Sequence, residues 1–144
     1  MPWERHIESG NRALAGRLFS EARKQFLQAI KDGESFAQGD PLWADAHRGL
    51  AKAAAGLGQW SECQQAAQVA YETDEAYWGP QYALIGEDLY LMGESMRQLG
   101  NFEQANGVLQ RALTAVTQHQ PDTHQQNLDI FASLIMLNLE SGVQ

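Results

Sequence analysis

The chain has 144 residues, of which 44% are hydrophobic and 19% charged, and this balance is typical of a single folded domain. Ten lysines and arginines against eighteen aspartates and glutamates give a formal net charge of −8. Such an acidic chain repels phosphate backbones and anionic lipids, so we expect neither nucleic acid nor a membrane as a partner. The single cysteine, Cys63, cannot form an internal disulfide, and no apolar run reaches the length of about 18 residues that a membrane span needs. These features predict a cytoplasmic domain.

Residue usage predicts an all-α fold. The chain contains 20 alanines and 16 glutamines, but only 13 valines, isoleucines and threonines together. Alanine and glutamine lose little side-chain freedom in a helix, whereas β-branched residues favour strands. Proline is tolerated in the first turn of a helix and breaks a helix interior, so the prolines indicate helix starts. They are evenly spaced along the chain, at Pro2, Pro41, Pro80 and Pro121.

Three segments align when the chain is laid on itself at 41–42 residues. Each has an aromatic residue followed by two small residues: Phe19, Ala22 and Ala29; Trp60, Cys63 and Ala70; Phe102, Ala105 and Ala112. Each also has a small residue in the preceding helix and a glycine before the aromatic residue: Gly10 and Gly16, Ala51 and Gly58, Gly93 and Gly100. Small residues let antiparallel helices approach closely, and the aromatic residue fills the gap to the next pair. The pattern therefore predicts helical hairpins that stack on one another.

This pattern resembles the tetratricopeptide repeat family, in a lengthened form similar to the repeats of kinesin light chains and of bacterial regulatory proteins. The resemblance implies an all-α, right-handed α-solenoid of stacked antiparallel helix hairpins with about seven helices. We predict repeats over about 3–40, 41–79 and 80–120, and an extra C-terminal helix over 123–141. Within the repeats, the first helix (helix A) is expected near 3–15, 42–57 and 80–99, and the second (helix B) near 19–36, 60–73 and 102–118.

The resemblance also implies a function. In this family the A helices line a concave groove that binds a peptide or helix of a partner protein, so we expect a non-catalytic scaffold or adaptor. The groove positions carried over to this chain include Asn11, Arg48, Lys52, Tyr90, Glu94 and Arg97. Such polar residues also suit the solvated side of an amphipathic helix. Two alternatives are a small acidic chaperone for a secreted or assembling client and a regulatory subunit of an enzyme.

No motif predicts catalysis, a cofactor or a metal. His119, Asp122 and His124 lie close in sequence, but they lack the helix-face spacing or the cysteine pairs typical of zinc ligands. Cys63 falls in a column of alanines and is expected to be a small buried packing residue. No nucleophile is paired with a base.

The predicted C-terminal helix is apolar over most of its circumference, more than packing on one neighbour requires. On a helical wheel Ile130, Leu134 and Leu137 form one patch, and the opposing set is Leu128, Phe131, Ile135 and Leu139. We expect the opposing set to pack on the preceding hairpin and the patch of Ile130, Leu134 and Leu137 to mediate self-association or bind a partner helix. A homodimer through this helix, or truncation of a longer repeat array, would each explain the apolar surface.

Overall fold

The computed structural model describes residues 2–119 and 124–141, which form seven α-helices and no strand. In chain order the helices are α1 (Pro2–Ala15), α2 (Phe19–Gly33), α3 (Pro41–Gly56), α4 (Trp60–Trp78), α5 (Ile85–Gln98), α6 (Phe102–His119) and α7 (His124–Ser141). The all-α prediction is confirmed. Across these described residues, no helix is both long and apolar enough to cross a bilayer.

Helix starts follow the prolines only in part. Asp40 caps α3, with its Oδ1 accepting a hydrogen bond from the Leu42 amide at 2.8 Å, and Pro41 occupies the first turn. The third unit differs from the prediction, because α4 runs on to Trp78 and α5 begins at Ile85. Gly79, with φ +89°, ends α4 and leaves Pro80 in the connection. Pro121 lies outside the described residues.

Successive helices pack as three hairpins, α1 with α2, α3 with α4 and α5 with α6, and each hairpin contacts the next. The A helices α1, α3, α5 and α7 also contact one another in order, so α7 takes the place of a fourth helix A. Phe26 on α2 is fully buried, and a methyl group on Gly10 or on Gly49 would collide with its ring. Glycine at both positions therefore allows the close stacking, and the solenoid prediction is confirmed.

The turn between the two helices of each hairpin contains one residue in the left-handed conformation. Gly58 and Gly100 hold this position in the second and third hairpins, with φ of +73° and +85°. In the first hairpin the residue is Arg17, with φ +58°, and not the neighbouring glycine. Glycine adopts this conformation without the steric cost that a side chain incurs. The repeat boundaries at residues 40 and 79 stay a prediction.

Candidate partner-binding face

One side of the solenoid is formed by the A helices. We call it the helix-A face: the surface of α1, α3 and α5 that the B helices α2, α4 and α6 leave uncovered, together with Glu140 on α7, which pairs with Arg97 on α5. Between α1 and α3 this face holds a cavity of about 240 Å³. Its lining residues are Asn11, Leu14, Asp45, Arg48, Gly49 and Lys52. The structure thus brings together three residues that the sequence predicted for a binding groove, namely Asn11, Arg48 and Lys52.

Arg48 differs from the prediction, because it is buried and already paired. Its Nε donates to Asp88 Oδ1 at 2.7 Å, its Nη1 donates to Asp45 Oδ1 at 2.7 Å, and its Nη2 pairs with Asp74. Only 6% of Arg48 is exposed. Its role as an exposed groove residue was therefore predicted wrongly: three carboxylates from α3, α4 and α5 surround the guanidinium, and it joins those helices.

Three aspartates surround the single guanidinium of Arg48, and Asp88 is the most deeply buried of the three. It is fully buried, and the Oδ2 atom of its ionised form has no hydrogen-bond partner among the described residues. Burial raises the pKa of Asp88 well above its ordinary range, and its contact with Asp74 raises that pKa further. When Asp88 is protonated, its carboxyl group donates a hydrogen bond to Asp74. The cluster around Arg48 then carries one negative charge fewer.

Lys52 and Asn11 are accessible on the helix-A face. The Lys52 ammonium pairs with Glu87 on α5, yet 42% of its side chain is exposed. Asn11 is exposed on α1 at the other side of the cavity. Tyr90 is half-buried, and burial raises its pKa. Lys52, Glu87 and Asn11 are among the polar groups that a partner segment could reach.

Arg97 and Glu94 join α5 to α7. Arg97 makes a bidentate pair with Glu94, with Nε and Nη2 at 2.9 and 2.7 Å from its carboxylate oxygens, and also pairs with Glu140 on α7. Ser133 on α7 donates to Glu94 Oε1 at 2.8 Å. Only 9% of Arg97 is exposed, so its guanidinium is not a free charge on the groove where the resemblance placed it. Its guanidinium is used to attach α7.

The two sides of α7 are the reverse of those predicted. Ile130 and Leu137 are buried against the core, Leu134 packs beside them, and Leu128 and Ile135 lie on the outer side. The prediction that Ile130, Leu134 and Leu137 form the free patch is therefore wrong. The inward orientation of this side is caused by polar contacts between α7 and α5. Ser133 and Glu140 share a side with Ile130 and Leu137, and their pairing with Glu94 and Arg97 turns that side inward.

Sequence reasoning missed an aromatic cluster at the α4–α5 connection. The Trp78 ring stacks on Tyr82 with centroids 5.0 Å apart, and Tyr77 meets Trp78 edge-on at 4.7 Å. Tyr77 and Trp78 are exposed, with 55% and 49% of their surface in solvent. The signal was present in the sequence, because three aromatic residues surround Gly79 and Pro80. Burial raises the pKa of Tyr82, and the negative charge of Asp74 raises it further.

A second cavity lies on the opposite side of the solenoid, between α4 and α6. It has a volume of about 340 Å³ and is lined by Tyr71, Glu75, Ile85, Leu89, Arg111 and Thr114, among others. The Tyr71 hydroxyl accepts a hydrogen bond from Arg111 Nη2 at 2.6 Å and donates one to Glu75 at 2.6 Å. These hydrogen bonds fix the orientation of the Tyr71, Glu75 and Arg111 side chains at the rim of the cavity.

Among the described residues, the remaining candidate for chemistry is a packing residue. Cys63 is fully buried, as predicted for a packing residue, and burial raises its pKa to about 11, which makes a reactive thiolate unfavourable. Within the described part of the chain, no group of three or more histidine, cysteine, aspartate or glutamate side chains could hold a metal ion. Asp122 and the side chains of His119 and His124 lie outside the described residues.

Stacked helical hairpins with close glycine–aromatic packing define the class of this protein, an α-solenoid. The chain has the tetratricopeptide repeat fold. It is similar to a TPR-like protein from Chlorobium tepidum TLS, with a TM-score of 0.82 and 16% identity over 97% of this chain and 94% of that one. It is also similar to the Sgt2 TPR domain from Aspergillus fumigatus, with a TM-score of 0.69 and 17% identity over 99% of this chain and 83% of that one. No family model and no curated protein matches the sequence.

Proposed function

We propose that this protein is a non-catalytic interaction scaffold in the cytoplasm that binds a peptide or helix of a partner protein along its helix-A face. The observation that carries the proposal is the cavity of about 240 Å³ between α1 and α3, where Asn11 and Lys52 from two helices converge. Ion pairs between neighbouring A helices hold the polar side chains in fixed positions, which lowers the entropic cost of binding. The tetratricopeptide fold supports a protein-interaction role of this kind.

The charges on this face favour a cationic partner segment. Each lysine and arginine of α3 and α5 is already paired with carboxylates: Lys52 with Glu87, Arg48 with three aspartates, and Arg97 with Glu94 and Glu140. Carboxylates therefore exceed cations across the face, and an acidic segment would meet net repulsion. Lysine, arginine or amide groups on the partner would instead find acceptors, such as Asp45 and Glu140, whose side chains are more than one third exposed.

The chaperone alternative draws on a different surface. Tyr77 and Trp78 present exposed aromatic rings at the end of α4, and such rings bind apolar client segments. A regulatory subunit of an enzyme would use the helix-A face as the scaffold does. The scaffold and the regulatory-subunit hypotheses therefore predict that substitutions on the helix-A face abolish binding. The chaperone hypothesis predicts the same loss for substitutions of the exposed aromatic rings.

The test measures the affinity of a peptide selected against the full chain from a random displayed library. Asn11→Arg with Glu87→Lys places cationic groups on both sides of the binding face, and we expect a loss of affinity of at least about tenfold. The matched control is Gln65→Arg with Glu103→Lys, the same change of charge at exposed positions on α4 and α6.

Circular dichroism should show that both double variants keep the helical content of the unchanged protein. Equal affinity of the unchanged protein and the Asn11→Arg, Glu87→Lys variant would contradict binding on the helix-A face. The chaperone alternative predicts a different result, namely that Trp78→Ala abolishes the suppression of client aggregation.

A further inference from the structure

The outer side of α7 is the largest concentration of exposed apolar residues in the described chain. Across the described residues, eleven large hydrophobic residues are exposed, and five of them lie on α7. We call them the outer α7 face: Leu128 (59% exposed), Phe131 (47%), Ile135 (60%), Met136 (45%) and Leu139 (72%). Exposed apolar patches of this size usually mark an interface.

The position of α7 in the solenoid shows what shape of partner this face accepts. α7 packs on α5 and α6, as α5 packs on α3 and α4. The helices α1, α3 and α5 are each covered by their own helix B, whereas no described helix covers α7. The outer α7 face is therefore open where an antiparallel helix packs in the other units.

We propose that the occupant is the α7 helix of a second copy of this chain, packed antiparallel about a two-fold axis near residues 133 and 134. In this register Leu128 comes level with Leu139 of the second copy, and Phe131 comes level with Met136 of the second copy. Ile135 comes level with the small exposed Ala132 of the second copy. A two-fold interface requires such a self-complementary surface.

The area of the outer α7 face matches a weak dimer. Five large apolar side chains, each about half exposed, offer about 500 Å² per copy if a whole side chain presents roughly 150–250 Å². Two copies would then bury about 1,000 Å², the lower limit for a specific interface, so we expect a dissociation constant of about 1–100 μM. Each copy has a formal net charge of −8, so salt should strengthen association by screening the repulsion between copies.

Sedimentation equilibrium of the full chain from about 1 to 500 μM tests the proposal, since the expected dissociation constant falls inside this range. We expect a monomer–dimer equilibrium that tightens as salt is raised. Ile135→Glu puts two carboxylates beside the two-fold axis and should weaken the dimer at least about fiftyfold. Leu18→Glu is the matched control, because Leu18 at the α1–α2 turn is also 60% exposed and should leave the dimer intact.

Cross-linking gives a second measurement that does not depend on a destabilising charge. A mixture of Leu128→Cys and Leu139→Cys proteins should form a mixed disulfide under mild oxidation, whereas each variant alone should not, because identical residues lie far apart in the antiparallel register. A monomer at 500 μM, a dimer that Ile135→Glu leaves unchanged, or cross-linking only between identical variants would overturn the proposal. The first of these results would assign the face to a different occupant.

Discussion

Arg48 shows how a residue that lines the helix-A face can act almost entirely on stability. Its guanidinium pairs with Asp45 on its own helix, Asp74 on α4 and Asp88 on α5, so one side chain links two hairpins. Lys52 lies one helical turn further along α3 but keeps much of its side chain in solvent. The two cations are neighbours on one face and differ in burial, which determines what each substitution costs.

Charge reversal separates the two residues. Arg48→Glu leaves three aspartates and a new glutamate without a cation in a buried site, so we expect the free energy of unfolding to fall by about 3–5 kcal/mol or the chain to remain unfolded. Lys52→Glu removes an ion pair whose cation is 42% exposed, and such a partly solvated pair contributes about 1 kcal/mol. Urea denaturation measures both. Equal losses would show that Arg48 is not held in the buried cluster.

The protonation of Asp88 makes stability depend on pH. Because its folded-state pKa is raised, the folded protein retains a proton that the unfolded chain releases above the ordinary carboxyl pKa. The stabilisation is fully present below that ordinary pKa and is lost as pH rises towards the raised value. Asp88→Asn keeps a donor for Asp74 and cannot ionise, so its stability relative to the unchanged protein should rise with pH, by up to about 1.4 kcal/mol per unit.

Urea midpoints at pH 5, 7 and 9 check this prediction. Glu103→Gln is the control, since Glu103 is exposed on α6 and its replacement removes a carboxylate far from the cluster. The control should change little between these pH values. If the Asp88→Asn and unchanged proteins keep a constant difference from pH 5 to 9, then Asp88 does not hold the proton.

At the scale of helices, the close approach of neighbouring helices depends on glycine, because an added Cβ atom at these positions would collide with an aromatic ring. Gly49→Ala on α3 directs a methyl group into the buried Phe26 ring, and we expect a loss of about 1–3 kcal/mol. Gly107→Ala on α6 is the matched substitution, because a Cβ there meets nothing within 4 Å. It should stabilise the helix by about 0.5–1 kcal/mol. Thermal unfolding should move in opposite directions for the two variants.

A double-mutant cycle gives the control for the Phe26 contact. In a Phe26→Leu background the smaller side chain leaves room for the methyl group, so the cost of Gly49→Ala should shrink. An undiminished cost would show that the Phe26 ring is not what limits the approach of α3.

The orientation of α7 shows which part of the structure the sequence could not predict. The repeated small residues and aromatic residues predicted the hairpins, because a recurring pattern records close packing between adjacent helices. On α7 the apolar residues cover most of the circumference, so periodicity did not define one buried side. Ser133 and Glu140 are polar residues whose partners Glu94 and Arg97 lie 39 and 43 residues away along the chain, so the local pattern does not reveal that they face inward.

The same limit applies to the candidate site. The resemblance to the tetratricopeptide family, aligned through the repeat register, implied the groove positions Asn11, Arg48 and Lys52, and the structure brings them to one cavity. The register did not show that Asp74 and Asp88 approach Arg48, because ion pairs between helices follow from side-chain geometry. Such ion pairs do not alter the repeat pattern of the sequence, so the pattern does not reveal them. They nevertheless determine which charged side chains a partner can reach.

At the scale of the whole molecule, the A helices form one surface and the outer α7 face forms another. The helix-A face is polar and rich in carboxylates, and the outer α7 face is apolar. A dimer through α7 would leave the cavity beside Asn11 and Lys52 open, because that cavity lies between α1 and α3 at the other end of the stack. The two proposed interactions are therefore compatible, and each can fail without the other.

Binding along the helix-A face is tested most directly by amide chemical shifts of the ¹⁵N-labelled full chain during titration with a selected cationic peptide. We predict that the shifts concentrate on α1, α3 and α5, with the largest changes around Asn11, Lys52 and Glu87. Shifts confined to α2, α4 and α6, around the cavity that contains Tyr71 and Arg111, would contradict binding on the helix-A face.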